Sequence, residues 1–147
     1  MNLGIYGAIV FLHVISAVLA IGPLFILMPI IKRLRGVETV KEEVYLTVIN
    51  VIIRLVMHAG HVLVYTGVLL LIFGPWPWYT SWVIMTLAVM LFSGVFLAKG
   101  FTVVLRKFKN PDADKNKILN RLNATSWVYI GLMLIMLWLM VQKPILW

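Results

Sequence analysis

The chain has 147 residues, 63% of them hydrophobic, a formal net charge of +8 and no cysteine. A mean hydropathy of +1.02, with apolar residues in long blocks, excludes a soluble domain. The missing thiols exclude disulfides, iron–sulfur clusters and thiolate metal sites, which leaves histidine, methionine and carbonyl oxygens as metal ligands.

Segment one, about residues 4–31, is long enough to cross a bilayer, since a span needs about 20 residues. It carries His13, and near it Ser16, Ala17 and Ala20, small residues that serve either close helix packing or the approach of a bulky cofactor. Pro23 deprives the Leu19 carbonyl of its helical donor, so a kink is expected. The first residues lack a basic signal-peptide region, and this helix is expected to stay as an anchor. The following loop is basic, with Glu38, Glu42 and Glu43, and Thr39 is placed to cap the next helix.

Segment two, about 45–73, ends at Gly74-Pro75-Trp76-Pro77-Trp78-Tyr79, where Pro and Gly stop the helix and the aromatics suit the headgroup level. The short turn predicts that segments two and three are antiparallel neighbours. Segment three, about 82–104, has Ser93 and Gly94 at its centre and Lys99 near its basic end, where a lysine snorkels to headgroups. Lys107 to Lys117 reads as a solvated turn. Segment four, about 124–141, places Tyr129, Met133, Met136 and Met140 on one face, which fits adaptable packing or, for Cu(I), thioether ligation.

The thirteen Lys and Arg residues are unevenly placed: Lys32 to Lys41 and Lys99 to Arg121 hold all but Arg54 and Lys143. Position therefore argues for anionic lipid headgroups as partners and against nucleic acid. The fold expected is an all-α, single-domain integral membrane protein, an up-down-up-down four-helix bundle in the plasma or inner membrane. The positive-inside rule puts both basic loops in the cytoplasm and both termini on the extracytoplasmic side.

At 100° per residue, Arg54, His58, His61 and Tyr65 fall within roughly 60° of arc on one face of segment two. Titratable groups are costly in a bilayer, so this stripe is expected to turn inward and mark a site. His13 and His61 lie at matching depth, roughly 14 and 18 Å from the same membrane face, with His58 one turn away as the alternative. Two imidazoles on facing helices, with no carboxylate in any span, suit the iron of a b-type haem. Arg54, roughly 10 Å from His61 along the helix, either pairs a haem propionate or snorkels to headgroups. The competing structural reading gives the histidines interhelical hydrogen bonds to Ser93, Thr125 or Tyr129, and copper is the alternative metal.

Leu12-His13-Val-Ile-Ser-Ala-Val-Leu-Ala-Ile-Gly22 and the closing Met140-Val-Gln-Lys143-Pro144 resemble a group of bacterial four-helix membrane proteins. These are similar to a wider set that includes the HemJ-type protoporphyrinogen oxidases and the membrane part of CopD-type copper proteins. The resemblance implies haem b on His13, and Lys99 in the place of a third-helix lysine. The chain departs from the HemJ-type pattern in reading Phe25-Ile-Leu-Met-Pro29-Ile-Ile-Lys32 after that histidine, and Asn120-Arg-Leu-Asn123-Ala before the last helix. Three functions follow. The first is a bis-histidine haem protein that moves electrons, with quinone as partner. The others are a porphyrin- or quinol-acting enzyme, and a non-catalytic subunit of a respiratory or transport complex; a homo-oligomer fits any of them.

Overall fold

In the computed structural model the chain forms four helices: α1 Leu3–Leu34, α2 Thr39–Phe73, α3 Ser81–Phe108 and α4 Lys115–Gln142. The structure describes residues 3–36, 39–108 and 114–146. The capping role expected of Thr39, and the turn from Asn110 to Ala113, lie outside the described side chains. All four helices are long and apolar enough to cross a membrane. The all-α bundle matches the expectation.

Each helix overruns its apolar span at the basic end. The expected solvated turn is shorter than Lys107 to Lys117, because Asp114 accepts hydrogen bonds on Oδ1 from the backbone N–H groups of Asn116 and Lys117, at 3.1 and 3.3 Å. That cap starts α4 at Lys115, nine residues before the apolar run, and the added turns bury Ile118, Leu119 and Leu122. Helix α1 runs unbroken through Pro23 and Pro29.

The helices pack as two pairs, α1 with α2 and α3 with α4, joined where α1 meets α4. Helices α2 and α3 barely touch, although only the turn 74–80 separates them in sequence. They are neighbours in the chain but splay apart, leaving a seam. Where helices do close up, small residues permit it: a Cβ on Gly100 of α3 would stand 2.8 Å from Thr125 Cγ2 of α4.

The tight core lies toward the basic end. Leu24, Leu27 and Ile31 of α1, Ile49 and Val56 of α2, Phe101 of α3, and Leu119 and Leu122 of α4 are almost wholly buried there. Ala20 belongs to this core, Ala17 packs against it, and the Ser16 hydroxyl donates to its own helix at Leu12 O. The small residues after His13 therefore serve helix packing.

Candidate functional site: a hollow beside His13

The other end of the bundle is hollow. A cavity of about 290 Å³ lies among all four helices, and His13, Gly67, Trp82, Met136 and Lys143 are on its wall. A second hollow of about 140 Å³ adjoins it, reached by His61, Ser93 and Tyr129. Leu63, Met90 and Met136 line both and form the partition between them. The unpacked α2–α3 seam runs alongside. Polar atoms are few on either wall, as in small-molecule sites generally.

His13 is held by α2. Its Nδ1 lies 2.9 Å from Thr66 Oγ1, which lies 2.7 Å from Val62 O and 3.1 Å from Leu63 O. A hydroxyl has one hydrogen and a carbonyl can only accept, so the short contact assigns that hydrogen to Val62 O. Thr66 then accepts from His13, which makes His13 the Nδ1–H tautomer. With the proton on Nδ1 its Nε2 keeps a lone pair, and the Leu63 backbone carbonyl is a further acceptor close to the ring. Gly67 completes the seat, since a Cβ there would stand 3.2 Å from His13 Cε1.

The stripe on α2 does not turn inward. Arg54, His58, His61 and Tyr65 are all exposed, Tyr65 by 71%. The buried residues of α2 are Ile49, Ile53, Val56, Ala59, Leu63 and Thr66, and at 100° per residue they centre roughly 180° from the stripe. Apolar bulk on that face meshes with α1, so the polar face is left outward. His58 Nδ1 donates to Arg54 O at 2.7 Å, within its own helix, and its ring meets His61 edge-on at 6.4 Å. Only His61 reaches a hollow. His13 touches α2 directly at Thr66 and Gly67, whereas His61 lies on another face of that helix and lines the second hollow. The partners offered by the structural reading are not used either: Ser93 donates to Met90 O, and Tyr129 packs edge-on to Phe101.

Arg54 has a simple explanation. Measured from Phe73 at 1.5 Å per residue it lies roughly 29 Å down α2, about the thickness of the hydrocarbon core. Lys99 of α3 and Arg121 of α4 lie at similar distances from the Trp-rich end, and all three are exposed. They form a ring at the level where lipid-facing cations reach headgroups. Neither Arg54 nor Lys99 lines a hollow.

Sequence reasoning missed Thr66, Gly67, Trp82 and Lys143. The signal for the first two was present: Thr66-Gly67 is the one small polar pair on the face of α2 opposite the stripe. Trp82 has its indole Nε1 buried with no acceptor. Lys143 Nζ stands 4.6 Å from the ring centroid of Trp76 and 5.9 Å from that of Trp82. Among the described residues no three His, Asp or Glu side chains gather as a metal site, so any metal here would draw on methionine or on a cofactor's own ligands.

The chain belongs to the family described as "Predicted integral membrane protein (DUF2269)", whose model matches residues 8–144. No curated protein and no solved structure matches it.

Proposed function

We propose that this protein holds a b-type haem in the cleft formed by the two hollows, with His13 as an axial ligand, and exchanges electrons within the membrane. One observation carries the reading: His13 lines a cavity with its Nδ1 2.9 Å from Thr66 Oγ1, so that a proton on Nδ1 leaves the Nε2 lone pair for a metal. Histidines that ligate metals are oriented in this way by a hydrogen bond at the other ring nitrogen. Each hollow is smaller than a porphyrin, but the partition between them is Leu63 and two flexible methionines, Met90 and Met136. Moving those side chains along the open α2–α3 seam yields one flat, apolar slot.

The second axial position falls to a group on the same cleft, the Met90 or Met136 thioether or His61. A bound haem supplies one-electron exchange, and two protein ligands favour electron transfer over oxygen chemistry. With the basic ends in the cytoplasm, the His13 cavity lies toward the outer leaflet. A quinone dissolved in the bilayer reaches the seam laterally and is the partner this reading gives the protein.

The test is an optical spectrum of the full chain purified in detergent from haem-replete cells. A Soret band that sharpens and shifts on dithionite reduction, and is lost in His13→Ala, is the expected result. Colourless wild-type protein removes the proposal.

Copper is the second reading, favoured by the gathering of His13 with Met90, Met136 and Met140 on one cavity wall. Imidazole and thioether together select Cu(I). Metal analysis of the same preparation separates the two: iron with porphyrin supports haem, and stoichiometric copper without porphyrin supports the Cu(I) site.

A further inference from the structure

Lys143 is held in an unusual conformation at the mouth of the His13 cavity. It is the only described non-glycine residue with positive φ, at φ 47° and ψ 55°, and its N–H closes α4 by donating to Leu139 O. Glycine is the usual residue at such a helix end, because a Cβ is crowded in the left-handed region. A lysine that persists there needs the surroundings to hold it. Ser81, wholly buried at the start of α3, does this: its hydroxyl donates to Pro144 O at 2.8 Å and accepts from Leu146 N–H at 2.9 Å. The chain after α4 is thereby tied down on α3, with the Lys143 ammonium over the Trp76 ring.

Two donors on this cavity wall lack acceptors. No Asp or Glu pairs with Lys143 among the described residues, where Glu42 at the start of α2 pairs with Lys115 and Asp114 at the start of α4 pairs with Lys117. The Trp82 indole N–H is buried and unbonded. A buried donor left without an acceptor is costly, and a cation beside it with no protein anion invites one from outside. The remaining wall is apolar.

We infer that Lys143 and Trp82 form a carboxylate-recognition end of this cavity, which selects ligands with an apolar body inside the bundle and a carboxylate at the Trp-rich membrane surface. The ligand's identity rests on the haem reading, on which the carboxylate is a propionate. Lys143 then takes the part that sequence reasoning offered to Arg54. The recognition is charge-assisted, and an esterified ligand forfeits it.

The experiment titrates pigment-free full-length protein in detergent with haem b and with haem b dimethyl ester, following the Soret band. Wild type is expected to bind the free acid at least about tenfold tighter than the diester, as loss of a hydrogen-bonded charge implies. Lys143→Gly and Lys143→Asn both tolerate the left-handed conformation, so the fold is kept, as an unchanged helical CD melt would show. Both variants should bind acid and ester equally, Lys143→Arg should retain the preference, and Trp82→Phe should reduce it a few-fold. Equal binding of acid and ester by wild type overturns the carboxylate end and leaves the haem reading intact. If neither porphyrin binds, both are overturned.

Discussion

The two halves of this bundle contrast. Toward the basic end, Leu27, Ile31, Ile49, Phe101 and Leu119 fill the space between the helices. Toward the Trp-rich end the same four helices line a cavity of about 290 Å³, and α2 and α3 touch little over their length. The ring of Arg54, Lys99 and Arg121 falls roughly where a 30 Å hydrocarbon core ends. Much of the packed half therefore lies at or beyond the headgroups, where water drives apolar side chains together. The hollow half lies in lipid, where chains are as apolar as leucine and burial itself brings no gain. A membrane protein can keep a cavity there at little cost and use it.

The sharpest way to break that comparison is to truncate one side chain in each half. Phe101→Ala should cost about 3–5 kcal/mol, the range for a wholly buried aromatic, whereas Leu87→Ala on the cavity wall should cost about 1 kcal/mol because the space beside it is already open. Detergent unfolding curves followed by circular dichroism measure both, and equal losses would end the argument.

Next in size is Gly67→Ala. Its new Cβ presses on His13, and overpacking of this kind costs about 1–3 kcal/mol. On the haem reading the expected result is haem affinity reduced about tenfold or more with the helices retained, and unchanged affinity would show that the Gly67 seat does not position His13 for a ligand. Thr66→Val removes the acceptor that fixes the His13 tautomer, and interhelical hydrogen bonds in membranes are worth about 0.6 kcal/mol on average. Stability should fall by about that much, and on the haem reading the Soret position moves through the altered ligand field. A shifted melting curve with no spectral change would assign Thr66 to packing alone.

The smallest effect belongs to the basic surface. Arg35 donates to Asn120 Oδ1 at 2.6 Å, and Lys115 Nζ lies 2.7 Å from Glu42 Oε2, yet such exposed contacts contribute about 1 kcal/mol or less. Arg35→Ala should change unfolding by less than 1 kcal/mol. A larger loss would mean that the packed half depends on these ties rather than on its apolar core.

The legible parts of this molecule are those set by counting along the chain. Four apolar blocks separated by Pro-, Gly- and Lys-rich stretches are enough to predict four membrane helices. The periodicity that put Arg54, His58, His61 and Tyr65 on one face was also right. Which way that face turns was not legible, because in lipid neither apolar nor polar patterning reliably marks the inside. A small-residue and aliphatic stripe, Ile49 to Thr66, meshes with α1 and rotates the histidines outward. Lys143 was equally hidden: its local sequence reads as a basic residue after a helix, and only the contacts of Ser81, Trp76 and Trp82 bring it to a cavity.

Sequence alone determined that this chain lives in a membrane as four helices, and that His13 is the imidazole of its first span, since hydropathy and backbone hydrogen-bond satisfaction leave no other structure in hydrocarbon. Tertiary structure decided the rotation of α2, the open seam beside α3 and the company His13 keeps. Those follow from side-chain shape matching between helices distant in sequence, a property that no single segment carries.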